Sequence, residues 1–533
     1  TDNIDFVNKS NFYYSDTLTF QKNFSHFQKK VWKNGYWTFS LDSTQIDSSK
    51  NVALYVSLGP KYKHIQLSID TLSEKQLNLI GFSKRFLKTD YSSFELANQL
   101  ETILKTFENN GYPFIEIKTT KIDLSNDEII QLNLSINAGP LFKWNEIILK
   151  SENKIINERY LKALLKIQKG EYYSEEDARL IKDRIIQSGF LEEIKPAEIS
   201  FQNGYADIYL YLKSKRNSSF NGIIGIQQDP IKLKVGFTGE IRLKLENSFK
   251  RGESFQLYWR SVNPVSPQFN TQLSLPFLFN TPFGLFGQFQ LIKRDTSFIE
   301  TKPSIGVLFN LKNGSSLKAF YKNYQSSTLG NTGSVNGFGS VKSNQYGLNF
   351  TYQTLDYRPN PRKGIYWSTE ATIGSREVNQ NNDTTFKSSV YSGKTNFEIY
   401  SSIKKRFVIK TAFQCEVYQS PNTQTNELIR FGGNNTQRGF LEDEFFSTTR
   451  ATLTVEPRFI LDQNSFLFVF FDQTWYEKNS ENYSNDSPYG FGAGLSFGTD
   501  IGIFSITYAI GSQQGNPILL RDSKIHFGYV AFF

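Results

Sequence analysis

The sequence predicts a chain in two parts: α+β repeats in residues 1–216, then an all-β, sixteen-stranded antiparallel transmembrane barrel in residues 217–533. Three observations carry this prediction. A helix–glycine–strand pattern recurs three times in the first part, alternation with a period of two begins near residue 218, and aromatic residues make up 15% of the chain. In a membrane barrel only every second strand residue faces lipid, and aromatic girdles ring both interfaces. This explains 48 Phe and 28 Tyr in a chain of low mean hydropathy, −0.43.

Composition and motifs exclude several classes of function. The single cysteine, Cys415, cannot form an intrachain disulfide, and the three histidines lie far apart in the sequence. No HExxH, CxxC, Walker loop or GxSxG motif occurs, so we expect no metal, no cofactor and no enzymatic activity. The net charge of +9 is modest for 533 residues and gives no reason to expect nucleic-acid binding. We expect a mature, processed chain, because it contains no Met and no signal peptide.

Three N-terminal segments share a helix, a glycine–aromatic pair and two extended stretches. The glycines of these pairs, Gly35, Gly111 and Gly189, are 76 and 78 residues apart. Such a fixed period indicates tandem domains of about 75 residues. We place them at residues 1–70, 71–141 and 142–216, and the sequence leaves open whether the first repeat is complete. Apolar residues at helical spacing define one face of each helix: Phe20, Phe24, Phe27 and Val31; Leu96, Leu100, Ile103 and Phe107; Ala178, Ile181 and Ile185.

The helix–GY/GF–strand–GP layout of these repeats resembles the POTRA domain, a small β-α-α-β-β module found before outer-membrane barrels. The resemblance implies a periplasmic location for this region. It also implies exposed strand edges that accept unfolded client segments by β-augmentation. Three α+β domains without a binding role are the alternative.

The C-terminal part has the connection pattern of a bacterial outer-membrane barrel. "KVGFTGEIRLKLE" alternates apolar and charged residues from 234 to 246, and about sixteen such strands fill the region. Alternate connections are tight, as in "IKKR", "LDQN" and "TDI", whereas the others are long and polar. Short turns at one end, long loops at the other and an even strand number are typical of these barrels. The chain ends in "IHFGYVAFF", which resembles the C-terminal assembly signal of such proteins.

The stretch "FGGNNTQRGF", residues 431–440, falls between the eleventh and twelfth predicted strands, in the sixth long loop. This is where the BamA/TamA superfamily of outer-membrane assembly and translocation proteins carries its [VI]RG[FY] signature. Here the signature is Gln437-Arg438-Gly439-Phe440, with Gln in place of the aliphatic residue. The resemblance extends over nearly the whole chain, because three POTRA-like repeats before sixteen strands is the TamA-like layout.

The resemblance implies that this loop folds into the barrel lumen, where its arginine meets acids on strands twelve and thirteen. Strand alternation along "ATLTVEP" independently predicts that Glu456 faces the lumen. Asp472 should face the lumen as well, because a carboxylate facing lipid would be costly. The family pattern F-x-D-x-G around this aspartate has Thr474 at the glycine position. Small residues on one face of the next strand, Gly490, Gly492, Gly494 and Ser496, would leave room for the loop. The predicted site therefore comprises the loop residues Gly432, Gly433, Arg438, Gly439 and Phe440 and the lumen partners Glu456 and Asp472.

The resemblance implies a protein assembly, insertion or translocation factor in the outer membrane of a diderm bacterium. Its implied partners are unfolded outer-membrane or secreted client proteins, outer-membrane lipids, and accessory periplasmic lipoproteins or an inner-membrane partner. Clients would pair at a lateral seam between the first and last barrel strands. Glycine weakens strand pairing, and the seam residues are Ile224, Gly225, Gly528 and Phe533. The alternatives are a two-partner-secretion exporter, which threads its client through the pore, and a passive porin or outer-membrane enzyme.

Overall fold

The computed structural model describes residues 17–46, 52–62, 64–69, 93–124, 129–151, 154–215, 217–228, 235–261, 266–294, 297–311, 315–329, 338–357, 360–380, 384–480, 483–499 and 502–532. The chain divides into two compact units. The first comprises residues 1–148, 167–181 and 197–209, and the second comprises residues 149–166, 182–196 and 210–533. No helix in the described ranges is long and apolar enough to cross a membrane.

The first repeat contains one described helix and a two-stranded sheet. Helix α1 (Thr17–Lys33) is followed by the antiparallel strands β1 (Ser40–Ile46) and β2 (Val52–Ser57). Phe27 and Val31 of the predicted helix face are buried together. The helix is therefore held by its apolar stripe, as its spacing predicts.

The second repeat has a three-stranded mixed sheet in the order β3-β5-β4. Its elements are β3 (His64–Ile69), α2 (Ser93–Glu108), β4 (Glu116–Asp123) and β5 (Ile129–Asn137). Strand β3 pairs in parallel with β5, although the sequence boundary at residue 70 assigns β3 to the first repeat. The difference arises because a strand of six residues gives no sequence signal for its partner.

The third repeat contains the full β-α-α-β-β order. Its sheet has the order β6-β8-β7, so β7 is an edge strand. The elements are β6 (Lys143–Lys150), α3 (Glu158–Leu165), α4 (Glu175–Ser188), β7 (Leu191–Gln202) and β8 (Tyr205–Ser214). Pro196 lies within β7, which fits an edge position because proline cannot donate to a central ladder.

Two backbone joints with the same geometry follow the glycine turns. The Tyr62 amide donates to the Gly35 carbonyl at 2.9 Å, and the Phe142 amide donates to the Gly111 carbonyl at 2.7 Å. A glycine stands three residues before each aromatic, where its backbone is left-handed. These glycines are Gly59 and Gly139, both with φ of +69°.

The C-terminal part is a closed barrel in which sixteen long strands pair antiparallel in sequence order and the last meets the first. The structure thus confirms the predicted fold class. Three short strands are additional: two lie in the sixth loop, and the third pairs with the end of its predecessor. In chain order the strands are β9 (Ser219–Gln228), β10 (Val235–Glu246), β11 (Ser254–Ser261), β12 (Pro267–Leu275), β13 (Phe283–Arg294), β14 (Phe298–Asn310), β15 (Ser316–Thr328), β16 (Ser340–Gln353), β17 (Gly364–Gln380), β18 (Thr384–Lys404), β19 (Phe407–Gln419), the short β20 (Ile429–Phe431) and β21 (Phe445–Ser447), β22 (Thr449–Ile460), β23 (Phe466–Lys478), the short β24 (Ser484–Asp486), β25 (Tyr489–Thr499), β26 (Gly502–Ser512) and β27 (Lys524–Phe532).

Within the second unit, helix α3 packs against the tight turn between β10 and β11. The amide of Asn157, the N-cap of α3, donates to the Lys250 carbonyl at 2.7 Å. The Tyr160 ring covers Gly252, whose backbone is left-handed with φ of +73°. A Cβ at Gly252 would lie 1.9 Å from that ring, so the contact requires glycine.

We predict that Gly252→Ala destabilises the protein more than Gly515→Ala. Both glycines have nearly the same left-handed φ, +73° and +70°, but Gly515 has open space around it. Both variants should share the cost of a side chain at positive φ. Gly252→Ala should cost roughly 1–3 kcal/mol more, because the added methyl overpacks the Tyr160 contact. Thermal unfolding of the purified protein measures the difference, and equal effects would show that the α3 contact is dispensable.

Candidate functional site

The loop between β19 and β22 carries the arginine of the predicted signature, and the structure brings this side chain between the two predicted acids. The Nε and Nη2 atoms of Arg438 donate to the two carboxylate oxygens of Asp472 at 2.7 and 2.8 Å. Its Nη1 donates to Oε2 of Glu456 at 2.5 Å. All three side chains are buried. The planar guanidinium thus bonds two carboxylates at once, which a lysine ammonium cannot match.

Both acids have further partners in the barrel wall. The Thr454 hydroxyl donates to Asp472 at 2.8 Å, and Arg458 pairs with Glu456 at 2.8 Å. Burial by itself would lower the pKa of the Arg438 guanidinium, but its bonds to Asp472 and Glu456 raise that pKa above its usual value. The arginine therefore stays charged. Within the described ranges, no group of three or more His, Cys, Asp or Glu side chains is arranged to hold a metal ion.

The aromatic ring that contacts Arg438 belongs to Phe470 and not to Phe440 of the loop signature. The Arg438 guanidinium lies 3.6 Å from the centre of the Phe470 ring, on β23. A cation over an aromatic face is attracted by the ring quadrupole. Phe440 of the loop signature is in a buried cluster with Phe431, Phe445 and Tyr476. The sequence could not show which of the two phenylalanines meets the arginine, because each belongs to one of the two family motifs.

Glycines allow the loop tip to approach the wall. Gly439 has φ of +94°, and a Cβ there would lie 2.6 Å from the Gly511 amide nitrogen on β26. A Cβ at Gly490 on β25 would lie 2.0 Å from the Arg438 carbonyl oxygen. Gly432 and Gly433 also have positive φ, at the start of the turn.

Gly492 and Gly494, which were also predicted to leave room for the loop, lie against phenylalanine rings instead of the loop tip. Gly492 and Gly494 on β25 lie under the rings of Phe470 and Phe468. Those two rings fill the space that we had assigned to the loop. Of this set, Gly490 alone is in contact with the signature arginine's backbone.

The two departures from the family pattern contact each other. Gln437 stands at the aliphatic position of the signature and Thr474 at the glycine position of F-x-D-x-G, and both are fully buried. The Thr474 hydroxyl donates to the Gln437 amide oxygen at 2.5 Å, and the Gln437 Nε2 donates to the Asp472 carbonyl at 3.4 Å. One departure therefore supplies the hydrogen-bond partner for the other.

Sequence reasoning missed a second buried ion pair, which holds the start of the same loop. Arg376 on β17 pairs with Glu427 through Nε at 2.7 Å and Nη2 at 2.5 Å. Alternation along β17 places Arg376 inward, which was the available signal. Its partner lies 51 residues away in an irregular segment, so no spacing rule connects them.

The predicted seam is closed by a short ladder. Within the described residues, β27 pairs with β9 at two positions, Ala531↔Phe220 and Phe532↔Ser219, whereas β9 pairs with β10 at ten. The side chain of Asn221 also bonds to the Tyr529 carbonyl. Continued in the same register, the ladder would set Ile224 opposite Phe527, but within the described residues these two positions are not paired.

The remaining predicted seam residues are Gly225, Gly528 and Phe533. Gly225 pairs with Thr238 of β10, and Gly528 pairs with Ser505 of β26, so each is bonded on the side away from the seam. Phe533 lies outside the described residues.

Comparisons with known proteins agree with this architecture. Residues 299–533 match the model of the Omp85 superfamily domain, and residues 142–215 match the POTRA model, described as the surface antigen variable number repeat. These matches confirm the resemblance drawn from the sequence. No curated protein sequence matches the chain.

Two solved structures with TM-scores above 0.5 share the fold. CdiB from Acinetobacter baumannii matches with a TM-score of 0.59 and 14% identity, and CdiB from Escherichia coli with 0.58 and 14%. Each match covers 96% of this chain and 97% of the other. BamA from Haemophilus ducreyi lacking POTRA domains 1-3 matches with a TM-score of 0.46 and 16% identity, over 89% of this chain and 100% of the other.

We predict that Arg438→Ala lowers the stability of the barrel by about 3–5 kcal/mol, because it leaves Asp472 buried without its main partner. The measurement is thermal unfolding, followed by the gel shift between folded and heat-denatured barrel. Arg521→Ala is the control, since that side chain is 82% exposed and should have little effect. An unchanged unfolding temperature in Arg438→Ala would contradict the anchor.

A double-mutant cycle tests the Gln437–Thr474 contact. Thr474→Gly should destabilise the protein by about 1–3 kcal/mol, because it leaves the buried Gln437 amide oxygen without its donor. Gln437→Val should cost less, because the Thr474 hydroxyl keeps the Thr452 hydroxyl as a partner. The double variant, which restores the family pattern, should lose less than the sum of the two. Additive losses in thermal unfolding would mean that the two departures are independent.

Proposed function

Because the chain is a member of the Omp85 superfamily, with a barrel in the outer membrane and POTRA repeats in the periplasm, we propose that it inserts client proteins into that membrane through the seam between β9 and β27. The family assembles or translocates proteins at the outer membrane. The finer proposal rests on one observation: in the part of the chain that the structure describes, the seam ladder is formed at two positions, although β27 has nine residues.

Unpaired strand edges explain why this observation points to insertion. Backbone N–H and C=O groups cannot find water in the bilayer core, so an incomplete ladder there is costly unless another strand completes it. An exposed edge is also a template for pairing with a second chain. A client strand would satisfy both edges, and the seam is the place where the fewest native bonds must break.

The third POTRA repeat supports a route for clients to the barrel. A cavity of about 1060 Å³ lies between the first half of β7 and the periplasmic turns of the barrel, within the second unit. Ile194 on β7 is 62% exposed beside it, and Tyr357, Asn464 and Gly502 line the barrel side. We propose that an extended client segment pairs with the β7 edge in this cavity before it reaches the seam.

The sixth loop has a proposed role in the same step. Its tip touches β22 and β23 through Arg438, β25 at Gly490 and β26 at Gly511. These strands lead directly to β27. The tip therefore braces the strands on one side of the seam, and we propose that its displacement accompanies seam opening.

A second candidate is an exporter that threads its client through the lumen, as in two-partner secretion. A lumen cavity of about 490 Å³ beside β9 to β12 supports it, because Asn435 of the loop lines the cavity without filling it. The two functions differ in whether the seam must open.

We predict that a disulfide across the seam abolishes client insertion. The variant carries Phe220→Cys and Ala531→Cys, a paired position of β9 and β27, with Cys415→Ser to remove the native thiol. Insertion of a barrel client by purified protein in liposomes should stop on oxidation and return on reduction.

The control pair is Leu243→Cys with Leu257→Cys, which are opposite each other on β10 and β11. This disulfide should leave insertion unchanged, because that ladder has no proposed opening. If the fully oxidised seam variant still inserts or exports its client, lateral insertion is wrong and threading through the lumen becomes the better account.

A further inference from the structure

We propose that Arg376 and Glu427 form a second lock that positions the tip of the sixth loop, so that the loop is a strap fastened at two separate points. The first lock is the Arg438 anchor at the tip. The inference deepens the proposed role of the loop and rests on that proposal for its functional meaning.

The bonding of Arg376 is directed at the first residues of the loop. Besides its paired bonds to Glu427, its Nη1 donates to the Pro421 carbonyl and its Nη2 to the Asn422 carbonyl, each at 2.9 Å. The side chain is fully buried. A buried charge that meets one short segment through a carboxylate and two carbonyls fixes both the position and the direction of that segment.

The partner carboxylate is equally engaged. The Tyr418 hydroxyl donates to the Glu427 carboxylate at 2.5 Å, and the backbone N–H of Gln424 donates to the same carboxylate at 2.9 Å. The adjacent Asn426 donates to the Ser326 hydroxyl at 2.7 Å and to the Gly339 carbonyl at 2.9 Å. The start of the loop is thus attached to β15, to the residue before β16, and to β17.

The two locks use different parts of the wall. The start of the loop is held by residues of β15 to β17, whereas the tip is held by residues of β22 to β26. Along the chain, β20 lies between the two locks. Its last residue, Phe431, packs in the aromatic cluster with Phe440, Phe445 and Tyr476. Nothing in either lock depends on a residue of the other, so one can open while the other stays closed.

The consequence for the tip is a shorter free segment. With Glu427 fixed, about ten residues separate the locks. When Glu427 and the neighbouring Asn426 are both released, the segment that carries the β20–β21 pair and the tip extends back to the end of β19, at Gln419. Closing a longer loop costs more entropy, about 0.6 kcal/mol for each doubling of its length. The second lock should therefore make the tip return more readily to Arg438's partners after each displacement.

The test measures tip position in the purified full-length protein without any client, by pulsed EPR distances. Spin labels are attached to Asn435→Cys on the tip and Lys405→Cys on the β18–β19 turn, both exposed, in a Cys415→Ser background. Arg376→Ala should raise the displaced fraction by up to about threefold, the factor expected if loss of the ion pair also releases Asn426 and roughly doubles the free loop. Arg376→Lys, which keeps the charge but cannot make the paired bonds, should give a displaced fraction between those of the native protein and Arg376→Ala.

Glu377→Gln is the matched control. Glu377 follows Arg376 on β17 but pairs with Lys387 on the exposed face, and its variant should leave the distances unchanged. If Arg376→Ala does not fold, as judged by its gel shift, the milder Glu427→Gln takes its place.

An unchanged tip distance in a folded Arg376 or Glu427 variant would overturn the proposal, provided that Arg438→Ala shifts the same distance. The second lock would then stabilise the start of the loop alone. Because the measurement uses no client, its failure is separate from failure of the seam mechanism, which the disulfide experiment addresses.

Discussion

The constraint on which this barrel depends is that lipid offers no hydrogen bonds to a peptide group. The strands meet it by pairing in full: β17 and β18 share seventeen paired positions, and β26 and β27 share seven. Among the described residues, pairing at the seam is reduced to two positions. The rest of the molecule can be understood around this exception. Strands β22 to β26, which precede the seam strand, are the ones that the sixth loop braces from inside. The third repeat presents its edge strand beside the periplasmic turns. A fold that must be closed in order to be stable is left least closed where a client strand would have to enter.

The polar lumen can hold the loop by buried ion pairs, which would be costly in an apolar core. Isolated charges are expensive to bury, and even a paired one gives little net stability compared with apolar packing. What the arginines provide is geometry. Arg438 and Arg376 each use a planar fork to bind a carboxylate at two points, so that a slightly shifted loop loses both bonds together. Such contacts define a few discrete loop positions, which suits the displacement and return that we propose for the sixth loop.

Much of this arrangement could be predicted from the sequence, and the rest could not for physical reasons. Strand alternation turned Glu456 inward without help from any relative, and the position of the RGF signature in the sixth loop named Arg438. The strand pairing of β3 was missed because pairing depends on tertiary neighbours that a short segment does not encode. Glu427 was missed because it lies in an irregular segment, where side-chain direction has no periodicity. The Gln437–Thr474 contact was visible as two separate departures from a pattern, yet their proximity became clear in the folded chain.

The two inter-repeat joints have a consequence for how such a chain can change over time. In each joint a main-chain amide meets a main-chain carbonyl beside a glycine, and no side chain supplies either partner. Side chains surround each of these bonds: Trp37 packs against the core of the second repeat, and Phe114 of the second repeat contacts Phe142 and Phe201 of the third. A repeat that replaced its neighbour would keep the backbone bond through its glycines but would have to re-form these aromatic contacts. The joints therefore restrict which repeats can follow one another along the periplasmic arm.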